Sequence, residues 1–158
     1  MNAKLRVGLL LDSAALPAWA FTAVQRLVRS NAAKLVLVVL HQSQPIASSL
    51  GQRVLQDPRH WLYHVFNAID ERLFVHDSNA LQPVDATEIL SGVPQLVVKP
   101  GANQGEQQFR SLDVEAIRSY QLDILVKLGF GRLSGDVLSA ARCGTWAYRW
   151  GDPSRIED

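Results

Sequence analysis

The chain alternates between short, mainly apolar runs and longer stretches in which apolar residues recur every third or fourth place. Residues 5–11 read LRVGLLL, 35–40 read LVLVVL, 95–99 read QLVVK and 124–128 read ILVKL. Apolar runs of this length, bounded by polar or glycine residues, are expected of parallel strands buried on both faces. Residues 145–148 (TWAY) are rich in β-branched and aromatic side chains and predict a fifth strand. Pro17 suits a first helical turn, after which Ala20, Val24, Leu27 and Val28 recur at helical spacing. Asp12 and Ser13 read as caps for that helix. The clearest amphipathic helix is 58–75, with Leu62, Val65, Phe66, Ile69 and Leu73 on one face and His60, His64 and Glu71 opposite. A third helix is expected from a cap at Ser111 or Asp113, carrying Val114, Ile117 and Tyr120 toward the sheet. A short fourth starts from Ser134 as N-cap, has Asp136 in its first turn and closes at Cys143-Gly144. Residues 42–51, 76–86 (with Asp77, Ser78 and Asn79) and 101–108 (GANQGEQQ) read as polar turns and loops.

Strand, helix, strand with short connections is the unit of a parallel α/β sheet joined by right-handed crossovers. The expected class is α/β, a three-layer αβα Rossmann-like domain with a mainly parallel central sheet. Ligands of such sheets bind outside the carboxyl ends of the strands. The turn Gly129-Phe130-Gly131 and the residue His41 therefore fall where a ligand would lie, and Asp12 and Ser13 could also line that place. The turn after the first strand has no GxGxxG and no Walker lysine, so NAD and ATP cradles are disfavoured.

With 158 residues and 47% hydrophobic content, the chain can form one domain, 1–158, burying about two-thirds of its unfolded surface. Sixteen basic residues balance fifteen acidic ones, which gives no electrostatic case for nucleic acid or an anionic membrane. One cysteine, Cys143, rules out an internal disulfide framework, fits a reducing cytoplasm, and reads as a packing residue at a helix end. The start reads as a strand rather than a signal peptide or membrane span. His60 and His64 have the spacing of a helical metal pair with Glu71 on the same side, but no HExxH is present and no metal is expected.

The segment 122–152, LDILVKLGFGRLSGDVLSAARCGTWAYRWGD, resembles the second half of the catalytic domain of the formyltransferase family, which includes methionyl-tRNA and glycinamide ribonucleotide formyltransferases. Family members carry a strand of the type DLIVVLGF, a turn and helix of the type GRILSxxxL, and a glycine opening the catalytic strand. The matching residues are Asp123, Ile124, Leu125 and Val126, then Leu128, Gly129, Phe130, Gly131, Arg132, Leu133 and Ser134, then Leu138 and Gly144. Residue-level matching covers about the last quarter of the chain, and the order of elements before it also fits.

The resemblance implies that the parent protein moves a formyl group from 10-formyltetrahydrofolate, its co-substrate, to an amine acceptor. Backbone groups of residues 128–134 would hold the pterin, with Phe130 supplying apolar contact. The catalytic strand departs from the family pattern Gly-x-x-Asn-x-His: Ala147 stands at the asparagine position and Arg149 at the histidine position. Formyl transfer passes through a tetrahedral oxyanion, and losing one donor to it costs on the order of 10²–10³ in rate. Alanine donates nothing from its side chain, and arginine cannot accept a proton near neutrality. This chain alone is therefore expected to be impaired or inactive, and to be a fragment of a longer protein. Two alternatives stand beside that reading: a non-catalytic small-molecule-binding or interaction module derived from the same fold, and a domain in which Arg149 and Arg155 hold the phosphate of a nucleotide-sugar.

Overall fold

The structure, a computed structural model, describes residues 4–42, 80–103 and 105–148. Strand β1 (Leu5–Leu11), β2 (Ala15–Pro17) and helix α1 (Ala18–Arg29) lead into β3 (Ala33–His41). Strand β4 (Pro83–Asp85), a single helical turn α2 (Thr87–Leu90) and β5 (Gln95–Val98) come next, then β6 (Gly101–Asn103), β7 (Glu106–Gln108) and α3 (Ser111–Ser119). The last elements are β8 (Ile124–Lys127), β9 (Arg132–Ser134), a 3₁₀ turn at Gly135–Ser139 and β10 (Thr145–Ala147). The expected helix at 58–75, with His60, His64 and Glu71, lies outside the described residues, as do Arg149 and Arg155.

The four apolar runs and the fifth strand enter one sheet, in the order β10-β8-β1-β3-β5, and every pairing is parallel. The chain is thus a mixed α/β protein with a parallel central sheet. Strand β1 sits in the middle, which is why its run is unbroken: Leu9, Leu10 and Leu11 have no solvent on either face. Burying each such side chain contributes about 1.5–3 kcal/mol. Successive residues alternate between two cores. Leu10, Leu37, Val39 and Leu125 pack with Val114 and Ile117 of α3, whereas Val7, Leu9, Leu11 and Val38 pack with Ala20 and Val24 of α1.

The register between β1 and β3 slips once, Val7 facing Leu35 but Gly8 facing Leu37, so Val36 is an extra, bulged residue. The slip lets Val36 and Leu37 pack on the same core although they are adjacent in sequence. Gly8 leaves room for two leucine side chains, because a Cβ there would sit 2.6 Å from Leu122 Cδ1 and 2.9 Å from Leu125 Cδ1, and one or both would have to shift.

Several local expectations are corrected. Asp12 and Ser13 do not cap α1, whose first residue follows Pro17 without any side-chain cap; residues 15–17 instead pair antiparallel with 83–85. Val28 faces solvent, leaving Ala20, Val24 and the half-buried Leu27 as the stripe of α1. Neither Ser111 nor Asp113 caps α3, which opens after Arg110. The loop expected at 101–108 is a hairpin of β6 and β7, with Gly105 at φ 81° in its turn. Strand β9 then pairs parallel with β7, so Arg132, Leu133 and Ser134 are extended rather than a helix start. The helix expected from Ser134 is reduced to the five-residue 3₁₀ turn, and the Ser134 side chain makes no cap bond. Gly144, at φ 76°, does close the segment by donating to Ala141 O (2.9 Å), but Cys143 beside it is exposed rather than packed.

Candidate functional site at the carboxyl edge of the sheet

Parallel pairing brings the carboxyl ends of β1, β3, β8 and β10 to one edge, and with them Asp12, His41, residues 128–131 and Ala147. The bend after β8 folds over the end of β1. The N–H groups of Leu128 and Gly129 both donate to Leu10 O, at 3.0 and 2.9 Å. The next N–H, of Phe130, donates to Asp12 Oδ1 at 2.7 Å. That of Gly131 donates to Gln107 Oε1 at 3.1 Å. Lys127 Nζ, one residue before the bend, donates to Gly131 O at 2.7 Å. Four consecutive amide donors at the place proposed for a heterocycle are therefore engaged by the protein itself.

The two glycines have different reasons. A Cβ at Gly129 would fall on Asp12 N and lie within 2.9 Å of Asp12 Cγ, so the missing side chain lets two backbones touch. At Gly131 the nearest atom to a Cβ is Gln107 Cδ at 3.6 Å, ordinary contact, and the residue is exposed. Phe130, between them, holds φ 64°, a left-handed conformation that is costly for a residue with a Cβ. Its ring is 8% exposed and belongs to the α3-side core, 5.4 Å from the Phe109 ring and edge-on to His41 at 5.1 Å. Phe130 thus points inward, away from the position that contact with a surface-bound pterin asks of it.

Of the other residues singled out in the sequence, Leu128 and Gly129 are half-buried, and Arg132 is exposed and pairs with Glu106 at 3.2 Å. Leu133 and Ser134 are half-buried on β9. Ala147 ends β10, exposed, in register with Lys127. Ser13 makes a local turn, its hydroxyl accepting the Ala15 N–H at 3.2 Å. The edge also gathers residues that sequence reasoning passed over. Trp19, in the first turn of α1, packs on Tyr148 just beyond β10, their rings 5.4 Å apart; Tyr148 and Trp146 remain more than half exposed. Lys127 had a readable signal: it is a charge within an otherwise apolar central strand. Gln107 had none, since its role depends on the pairing of β7 with β9.

Two open depressions lie near the sheet ends. One, about 450 Å³, follows β5 and is lined by Lys99, Gly101, Phe109 and Arg110; it adjoins the bend through the Phe109–Phe130 contact. The other, about 440 Å³, is at the opposite, amino edge, around Asp123 and Arg142. There Asp123 accepts the Arg6 N–H (2.8 Å) and Arg142 Nε (2.7 Å), while the Arg6 guanidinium binds the carbonyls of Tyr120 and Gln121 that end α3. The Arg6 N–H, with Arg142 adding to it, holds the Asp123 carboxyl below the usual carboxylate range. This second cluster ties β1, β8 and α3 together, and its bonds are structural.

No helix among the described residues is long and apolar enough to cross a membrane, and none of their His, Cys, Asp and Glu side chains group to hold a metal ion. No known family model matches this chain, and no curated protein matches it in sequence.

Proposed function

We propose that this chain is the folate-binding half of a formyltransferase-like protein, a three-layer αβα Rossmann-like domain of the cytoplasm that receives 10-formyltetrahydrofolate at the carboxyl edge of its sheet. The observation that carries the reading is the strand order. With β1 central, β3 and β5 to one side and β8 and β10 to the other, the direction of winding reverses between β1 and β8. That is where doubly wound sheets open a crevice for a ligand, and the bend at residues 128–131 crosses it. The formyl acceptor is an amine of unspecified class.

A second reading, a non-catalytic binding or interaction module on the same fold, has its own support. The N–H groups of residues 128–131 are already spent on Leu10, Asp12 and Gln107. Ala147 has no side-chain donor for an oxyanion. Under this reading the edge retains a cleft but not the chemistry.

Calorimetry with a stable formyl-folate analogue separates the two. Gly131→Val is the informative variant, because the added atoms project where only Gln107 is near, so the fold survives while the mouth of the bend fills. Binding by the wild-type chain that is lost in Gly131→Val, with an unchanged circular dichroism spectrum, supports the folate site. No heat at millimolar analogue removes it and leaves the module.

A further inference from the structure

Lys127 is the one charged residue of β8, a strand flanked on both sides by other strands. It is half-buried, and among the described residues its ammonium makes a single hydrogen bond, to Gly131 O, and no ion pair. A carbonyl carries only a dipole. An ammonium on a half-buried residue, with no opposing charge among the described residues, is favoured when an anion completes it.

Its placement says what that is. Lys127 is in register with Leu10 of β1 on one side and Ala147 of β10 on the other. Side chains of paired residues leave a parallel sheet on the same face, about 4.8 Å apart. Ala147 is short and exposed, so among the described residues no long side chain stands beside Lys127 on the β10 side. At the same bend, Asp12 accepts the Phe130 N–H and makes no ion pair with Lys127 within the described residues.

We propose that Lys127 binds the anionic oxygen of a small-molecule ligand, a carboxylate or a phosphate, at the carboxyl edge beside Ala147. An ammonium on a flexible stem suits such an oxygen as a point charge. The tie to Gly131 O uses one of its three protons and aims the group, and two protons serve the ligand. This inference rests on the ligand lying at this edge, and not on its being a folate.

The test is nuclear magnetic resonance on the full 158-residue chain, whose four lysines, Lys4, Lys34, Lys99 and Lys127, are individually assignable. Inorganic phosphate and acetate are titrated separately at constant ionic strength, following the lysine side-chain signals and the backbone amides of Gly131 and Ala147. The expected result is a saturable shift at Lys127 and at those amides with one anion, while the other lysines drift without saturation. Lys127→Gln keeps a donor for Gly131 O but no charge, and should weaken that anion's binding at least about tenfold, with Lys127→Arg retaining most of it. No saturable change with either anion overturns the proposal. So does unchanged anion affinity in Lys127→Gln, which would leave Lys127 as a brace for the bend. A formyl-folate analogue that fails to bind while phosphate or acetate still saturates Lys127 would remove the folate reading and leave this one standing.

Discussion

Asp12 and Phe130, 118 residues apart, are joined by a 2.7 Å hydrogen bond from the Phe130 N–H to the Asp12 carboxylate. The bond fixes the bend after β8 onto the end of β1 and offsets the cost of the left-handed backbone at Phe130. A hydrogen bond to a charged group is worth about 1.5–3 kcal/mol when well shielded and less when solvent reaches it. Asp12→Ala should therefore lower stability by about 1–2 kcal/mol, and Asp12→Asn, which keeps an acceptor, by less. Urea unfolding of the three proteins measures the order.

Phe130 combines strain with burial, and the two can be separated. Phe130→Ala loses the ring from the core at about 3–5 kcal/mol while retaining the Cβ that disfavours φ 64°. Phe130→Gly loses the same ring but relaxes the backbone. The glycine variant should be the more stable by about 0.5–1 kcal/mol, the reverse of the usual order of alanine and glycine. Equal stabilities, or alanine ahead, would contradict the left-handed assignment.

The flanking glycines should respond oppositely to a methyl group. Gly129→Ala forces Asp12 away from the bend and should cost about 1–3 kcal/mol or more. Gly131→Ala meets only the Gln107 side chain at ordinary distance and should change stability by less than about 0.5 kcal/mol. Thermal unfolding of the pair gives the contrast directly.

Acid should unfold the protein partly through Asp123 and Asp85. The Arg6 N–H lowers the first carboxyl, and the Thr87 hydroxyl and N–H lower the second. A carboxyl lowered on folding stabilises the protein fully above its ordinary value, 3.8 for both. That contribution fades as pH falls past 3.8 through the lower folded-state value. Asp123→Asn should therefore unfold at a lower temperature than wild type at pH ~7, with the gap closing toward pH ~3. A gap that widens on acidification would show the sign to be wrong.

The helices that were legible are those with a long repeat against a sheet, such as Val114 and Ile117 in α3. The misread elements are short. Residues 101–108 and 132–134 have polar sequences and become strands only because β7 lies between β6 and β9, a pairing that no local propensity encodes. Ser134 and Asp136 looked like a helix start, yet the backbone before them was already committed to β9. Asp12 and Ser13 looked like caps because capping residues and turn residues are the same types.

The sequence by itself determined the parallel α/β architecture, since unbroken apolar runs such as 5–11 and 35–40 can be satisfied only by strands covered on both faces. Only the tertiary structure decided which atoms meet at the carboxyl edge: that Gly129 is empty for Asp12, that Phe130 turns into the core, and that Lys127 stands beside Ala147. Hydrophobicity is a property of each residue's type, and its pattern can be read in one dimension. A contact between residues 118 positions apart depends on strand order, and strand order exists only once the chain has folded.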